Sequence, residues 1–296
     1  MKPPPFEYLA PEDFDAALEA VAEHGADAKL LAGGQSLVPA MNFRVTQPAV
    51  LIDLNRVPGL GDVRPDGSSG LLIGAMTRQR RLEFDSEVKR AAPLLAEAVP
   101  FIAHPQIRNR GTLGGSLAHA DPAAELPVIA LALEARLHAV SKRGDRWIEA
   151  ADFFQGMFTT ALEPDEILRD VALPSPRNGT GWAFEEFARR RGDYALMGVA
   201  CLVHLDDAGQ CDRARLVFLN AGDGPVLAVE AADMLQGRPL SAESARAAGR
   251  HASEKEIQPL GNLHARPEFQ RHLARVLAQR ALLTAAERAR RPAKPS

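Results

Sequence analysis

Two short segments of this 296-residue sequence pair glycines with hydroxyl residues: Gly33-Gly34-Gln35-Ser36 and Arg110-Gly111-Thr112-Leu113-Gly114-Gly115-Ser116. Glycine takes positive φ without steric cost. A glycine pair can therefore turn successive backbone N–H groups toward one point, forming a concave nest that holds a phosphate without a basic side chain. Ser36, Thr112 and Ser116 add hydroxyl donors suited to phosphate oxygens. The second segment also leads toward a helix N-terminus, where the dipole favours an anion. Each segment alone is as readily an ordinary turn, whereas two nests around one ligand would suit a pyrophosphate.

Other chemistries lack the residues they need. No G-x-G-x-x-G follows the first strand, and the P-loop pattern, the G-x-S-x-G elbow and H-E-x-x-H are all missing. The eight histidines are scattered. Only His119 closely follows a glycine segment, as a locally packed residue or as a ligand neighbour. Two cysteines, Cys201 and Cys211, cannot ligate a structural zinc or an iron–sulfur cluster, and no metal ligands are assigned. So few cysteines predict a reduced, cytoplasmic chain without a disulfide framework.

The elements that must position these segments belong to an ordinary globular composition, 46% hydrophobic and 25% charged with a net charge of −3, in a chain long enough for two domains. A pI near 6.3 gives no global attraction to nucleic acid. Met1-Lys2-Pro3-Pro4-Pro5 opens no apolar signal, and no run approaches the roughly 18 apolar residues of a membrane span.

Periodicity predicts a helix from Pro11 to Gly25, a strand at Lys29–Ala32 running into the first glycine segment, and a strand at Val50–Leu54. A boundary loop follows at Gly59–Gly70. Beyond it come a strand at Leu71–Ala75, a helix from Glu87 to Phe101, and the second glycine segment. Asp121 as N-cap and Pro122 start a helix at Ala123–Leu133, and strands follow near Ala135–Val140 and Ile167–Leu173. Leu173–Gly179, with two prolines and a glycine, is the expected domain linker. Three strands are then expected (Trp182–Ala188, Ala195–Leu205, Arg213–Leu219), followed by helices at Val226–Leu235, Ala242–Ala252 and Pro267–Arg288. The last carries Phe269, Leu273, Val276 and Leu277 on one face, and Arg288–Pro292 reads as a solvated tail. The domains are placed at 1–176 (subdomains about 1–58 and 59–176) and 177–290, with a tail at 291–296.

Five stretches in order resemble one family: Leu31-Ala32-Gly33-Gly34-Gln35-Ser36-Leu37, Ile73–Thr77, Gln106–Ser116, Asp121–Pro127 and Arg191-Gly192-Asp193-Tyr194-Ala195. They are similar to the FAD-binding medium subunits of molybdenum hydroxylases, the group of carbon monoxide dehydrogenase flavoproteins and xanthine dehydrogenase FAD domains. The resemblance implies an α+β fold: a two-subdomain FAD-binding domain of the vanillyl-alcohol-oxidase (PCMH) type, then a C-terminal α+β domain with a small antiparallel sheet. It implies non-covalent FAD, with Ala32 to Leu37 and Gly111 to Ser116 (Gly111, Thr112, Gly114, Gly115 and Ser116 as contacts) holding the pyrophosphate from two sides and Leu31 as a further cofactor contact. Ile102 and Ile107 would line the cleft, Glu125 would accept a cofactor hydroxyl, and Leu168 would lie near the adenine. Asp121 is carried as a cofactor neighbour beside its N-cap reading, and Tyr194 resembles the family tyrosine that can gate the flavin ring. Ser116 stands where many members have Asn, and Glu186 where a Lys is common, which reverses a charge near the cofactor.

The implied function is electron transfer as one subunit of a complex. A large molybdenum-cofactor subunit and a small [2Fe-2S] subunit would be its partners, in a dimer of heterotrimers. Two alternatives stand beside it: a self-sufficient flavin oxidase of the same fold, for whose substrate cap the C-terminal block is small, and a nucleotide-binding partner protein without redox chemistry.

Overall fold

A computed structural model describes residues 1–67 and 70–291. The expected Gly59–Gly70 loop includes Ser68 and Ser69, and the expected tail includes residues 292–296; these positions lie outside the described residues.

Three sheets organise the chain. The first is parallel, in the order β1-β3-β2, built from β1 (Glu7–Leu9), β2 (Ala28–Leu31) and β3 (Val50–Asp53). Helix α1 (Phe14–His24) joins β1 to β2. Its N-cap Asp13 accepts the Ala16 N–H at 2.7 Å, and Gly25 closes it at φ +47°. Helix α2 (Leu37–Asn42) directly follows the first glycine segment.

The second sheet is antiparallel, with β4 (Val63–Asp66), β5 (Gly70–Gly74), β6 (Arg136–Ser141), β7 (Gly144–Glu149) and β10 (Ile167–Leu173) in the order β4-β5-β10-β6-β7. A hairpin of β8 (Phe154–Gly156) and β9 (Thr159–Thr160) lies between β7 and β10. Strand β4 occupies part of the stretch expected to be a boundary loop: its Val63 and Pro65 pair with Ile73 and Leu71.

The helix expected from Glu87 to Phe101 is broken. After α3 (Gln79–Phe84), α4 (Ser86–Ala91) ends at Ala92, and Pro93 starts α5 (Pro93–Ala98), because proline offers no N–H to continue α4. A 3₁₀ turn at Val99–Phe101, α6 (Pro105–Arg108) and α7 (Leu113–His119) follow. Helix α8 is Glu125–Ala132, so Asp121 does not cap it. The Asp121 carboxylate instead accepts the Ala123 N–H at 2.9 Å, and the turn through Pro122 precedes the helix. Helix α9 (Ala150–Phe153) follows β7.

The third sheet is antiparallel, β11 (Thr180–Ala188), β12 (Ala195–Leu205), β13 (Cys211–Leu219) and β14 (Val226–Leu227) in that order. Val226 and Leu227, expected in a helix, pair with Phe218 and Val217, and α10 (Val229–Asp233) starts only after them. Helices α11 (Ala242–His251) and α12 (Pro267–Ala289) complete the chain.

Strand β12 is almost entirely apolar because both of its faces are covered. Met197, Val199, Cys201 and Val203 face α12 and its neighbours, while Ala195 and Ala200 join the core of α5, α8 and the second sheet. The segments on either side of Leu173–Gly179 thus share a core. Helix α12 buries the expected Leu273 and Leu277 together with small residues, Ala274, Ala278, Ala281, Ala285 and Ala286, whereas Val276 is half-buried and Phe269 is 44% exposed. A side chain at Gly181 would collide with the Ala285 carbonyl, so the helix can lie this close only over glycine. Arg288 is not part of a solvated tail. It donates to Glu97 Oε2 at 2.6 Å and to the Trp182 carbonyl at 2.7 Å, tying α12 to α5 and β11.

Candidate functional site

The two glycine segments touch. A Cβ on Gly33 would lie 2.5 Å from the Arg110 carbonyl oxygen and 2.7 Å from Gly111 Cα, and one on Gly115 would lie 3.2 Å from the Ala32 Cβ. The approach is possible only because both positions are glycine.

Their backbones differ from one another and, in one case, from the expectation. Gly34 has φ +72°, the nest conformation, and the N–H groups of Gly33, Gly34, Gln35 and Ser36 donate to no protein acceptor among the described residues. Gln35 Nε2 donates to the Gly33 carbonyl at 3.0 Å, closing the loop on itself. Gly111, Gly114 and Gly115 have no positive φ, so the second segment is not a nest. It is the first turn of α7, capped by Thr112, whose hydroxyl accepts the Gly115 N–H at 3.0 Å. Its other early N–H groups are committed as well: Leu113 to the Thr77 carbonyl at 3.0 Å, Gly114 to that of Ala75 at 2.7 Å, and Gly111 to that of Ile107 at 2.7 Å. The open donors are therefore those of the first segment, and the second supplies the wall behind them together with the half-buried Ser116. Four adjacent free N–H groups around a positive-φ glycine, backed by a glycine wall, fit a pyrophosphate.

The other predicted residues lie on both sides of α7: the Ile107 carbonyl accepts the Gly111 N–H ahead of the helix, and Asp121 and Glu125 follow it. Ile102 is buried and Ile107 half-buried, on either side of the turn into α6. Buried Arg108 braces that turn, donating to the Ile102 and Ala103 carbonyls at 2.8 and 3.1 Å and to Glu83 at 3.1 Å. The loop before Tyr194 rests on the same turn, because Gly192, at φ +89°, leaves room for the His104 ring. Leu168 is 5% exposed inside the second sheet, beside the irregularity between Leu168 and Asp170. The His119 ring packs at a tilt against Phe158, centroids 5.0 Å apart, and burial holds its imidazole below the usual value.

The end that follows α7 is acidic. Burial raises Glu125 to about 7, with Asp121 adding to the rise against the pull of its own N–H and of Arg108. Burial also raises Glu186 to about 8, with Glu125 adding to it, and Glu186 Oε2 is buried without a hydrogen-bond partner among the described residues. Tyr194 is 72% exposed, yet partial burial of its phenol and the nearby Asp121 and Glu125 raise its pKa. Glu186, Phe101, Arg190, Arg191 and Gly192 line a cavity of about 250 Å³. A larger groove of about 600 Å³, between α11 and α12 and lined by Arg246, Arg250 and Arg275, contains none of the predicted residues.

Sequence reasoning missed Tyr8, Asp53, Asn55 and Arg78, which connect the two glycine segments. Asn55 Nδ2 donates to the Ala32 carbonyl at 2.9 Å, Arg78 Nη2 to Asn55 Oδ1 at 2.5 Å, and Arg78 Nη1 to the Arg110 carbonyl. No motif links these positions.

Among the described residues no helix is long and apolar enough to cross a membrane, and no three His, Cys, Asp or Glu are placed to hold a metal ion. Residues 4–176 match the family described as the FAD binding domain in molybdopterin dehydrogenase, and residues 182–285 match the CO dehydrogenase flavoprotein C-terminal domain. The chain is 43% identical over 296 residues to the 6-hydroxypseudooxynicotine dehydrogenase complex subunit alpha of Paenarthrobacter nicotinovorans, covering 100% of this chain and 99% of the relative. Among solved structures it resembles a carbon monoxide dehydrogenase from Hydrogenophaga pseudoflava that lacks the Mo-pyranopterin moiety of its molybdenum cofactor. The TM-score is 0.94 at 38% identity, covering 97% of this chain and 99% of the other. Quinoline 2-oxidoreductase from Pseudomonas putida 86 gives a TM-score of 0.92 at 36% identity, covering 98% and 99%.

Proposed function

The chain belongs to the FAD-binding medium subunits of molybdenum hydroxylases, and we propose that it is the electron-transfer station of such a complex, receiving electrons from iron–sulfur clusters on a small partner subunit and delivering them to an external acceptor. The observation that carries this reading is the joined pair of glycine segments with four adjacent free N–H groups. Bound FAD supplies the redox chemistry that no side chain here provides. The chain's own residues supply the binding site. Gly33 to Ser36 would face the pyrophosphate with backbone donors, flanked by Leu31, Ala32 and Leu37, and the Gly111–Ser116 turn would close the other side. Ile102, Ile107 and Leu168 would exclude water from the cleft, Glu125 would hold a cofactor hydroxyl, and the exposed ring of Tyr194 would gate the open end.

A large molybdenum-cofactor subunit and a small [2Fe-2S] subunit, arranged as a dimer of heterotrimers, complete the proposal. The relatives' names support it: they belong to enzymes of substrates as different as carbon monoxide and quinoline. Such variety is expected where the substrate is chosen on another chain. Both cysteines are buried in the core, so this chain offers no thiolates for a cluster. Cytoplasmic residence is part of the same proposal.

Anaerobic spectra test it. Dithionite should bleach the flavin of the isolated chain, whereas candidate purines, aldehydes, N-heterocycles and carbon monoxide should bleach it only after both partner subunits are added. Rapid bleaching by any of these substrates without partners would establish the self-sufficient oxidase instead, and a colourless protein that takes up no FAD would establish the non-redox reading. The cofactor should also be non-covalent, because the glycine segments offer no cysteine and the one candidate attachment point near them, the His119 ring, packs on Phe158. Acid precipitation should leave the yellow colour in the supernatant; colour in the pellet would implicate His119.

A further inference from the structure

The two glycine segments come from different parts of the chain, one leaving the first sheet and the other opening α7 beside the second. Among the described residues, what joins them besides backbone contact is a line of hydrogen-bonded side chains. Tyr8, on β1, donates to Asp53 Oδ2 at 2.6 Å. Asp53 Oδ1, at the end of β3, accepts the Asn55 backbone N–H at 2.9 Å and also its side-chain amide. Burial pushes the Asp53 carboxyl up, but the bonds from Tyr8 and Asn55 outweigh it and hold it below the usual range, ionised as the acceptor at the root of the line. The Asn55 amide then donates to the Ala32 carbonyl and accepts from Arg78, which reaches the Arg110 carbonyl.

The Ala32 carbonyl belongs to the same peptide unit as the Gly33 N–H. That unit is planar and trans, so a donor fixing the oxygen on one side aims the N–H to the opposite side. The Gly33 N–H is one of the four free donors. Likewise, Arg78 grips the carbonyl of Arg110, the residue whose backbone Gly33 meets. Both ends of the line therefore hold carbonyls next to the point where the segments touch.

We infer that Asn55 and Arg78 are positioning residues that aim the free N–H groups of the first glycine segment at the pyrophosphate of FAD, by holding the Ala32 and Arg110 carbonyls in one fixed relation. The inference rests on the FAD reading above. The residue types suit the task. Asn can donate to a carbonyl and accept from a guanidinium at once, which Asp cannot. Arg can reach two acceptors with a fixed fork, which the single ammonium of Lys does not reproduce.

The test titrates FAD into apoprotein prepared from the full chain, for wild type, Asn55→Asp, Asn55→Ala and Arg78→Lys, and records the melting temperature of each apoprotein. Asn55→Asp is isosteric and keeps the acceptor for Arg78, but it loses the donor to Ala32 and to Asp53 and sets a second carboxylate beside that of Asp53, so Asn55→Ala, which removes the donor without adding a charge, is read beside it. Both should weaken FAD binding about tenfold or more, since one mis-aimed charge-assisted contact is worth about that factor, while the apoprotein melts within about 2 °C of wild type. Arg78→Lys should be weakened similarly, with the same salt dependence of binding as wild type. FAD affinity within threefold of wild type in Asn55→Asp would overturn the inference. So would a loss matched by a collapse in melting temperature, or a rescue by Arg78→Lys with an altered salt dependence, which would make Arg78 a direct phosphate ligand. If wild type itself takes up no FAD, the proposed function fails before this inference is reached.

Discussion

Gly34→Val should yield a protein that purifies colourless and binds added FAD at least roughly a hundredfold more weakly than wild type. Gly34 sits at φ +72°, a conformation that a β-branched residue adopts only under strain, and its Cβ would press against Leu31 Cδ1 at 3.2 Å and Val38 Cγ2 at 3.3 Å. The chain can relieve this only by rotating the peptides on either side, which carry the free N–H groups of Gly34 and Gln35. Losing two charge-assisted contacts of about 1.5 to 3 kcal/mol each gives the expected factor. The segment is a half-buried loop, so the loss should fall on binding more than on folding. Gly115→Val should also lose FAD, for a different reason: its Cβ would lie 2.6 Å from Thr112 Oγ1, displacing the hydroxyl that caps α7. Fluorescence titration checks affinity and circular dichroism checks the fold. Wild-type FAD content in both variants would remove the glycine segments from the cofactor site.

The glycine segments were legible in the sequence because they are local: a glycine pair with hydroxyl neighbours after a strand declares its own possibilities. The form of the second one was less so, although the signal was present. Thr112, three residues before Gly115, is an N-cap pattern, and weighed above the glycines it would have indicated a helix start instead of a nest. The helix break at Ala92 was similarly visible in Pro93 but was overridden by a continuous apolar period. What no local pattern could show is the Asn55–Arg78 bridge, since its members lie 23 residues apart and meet only because β3 and the start of α3 converge. The shared core of β12, α5 and α8 is likewise a property of packing. A continuous apolar strand indicates that both faces are covered but not which elements cover them.

Glu186→Gln should stabilise the protein, and by an amount that grows with pH. The Glu186 carboxyl is raised by burial to about 8, and its buried Oε2 has no hydrogen-bond donor among the described residues. Unfolded, it would titrate near the ordinary value of about 4.5. Between these values the folded chain holds a proton that the unfolded chain has released, so stability falls as pH rises from about 4.5 to about 8 and levels off above. Glutamine has the shape of the protonated acid and never ionises, so it escapes the fall. The variant should therefore melt with wild type near pH 4.5 and above it by at least about 2 °C at pH 8, the shift expected for roughly 1 kcal/mol in a chain of this size. Glu125, raised to about 7 mainly by burial, adds to the rise at Glu186, and with Glu186 at about 8 this end of the cleft is less negative at neutral pH than its residue types suggest. That bears on the proposed cofactor site, because a site for an anionic dinucleotide gains nothing from carboxylates that stay charged. Melting curves of both proteins across pH 4.5 to 9 decide the matter. A difference that does not change with pH, or one that favours wild type at pH 8, would mean that Glu186 is ionised and paired in the folded chain.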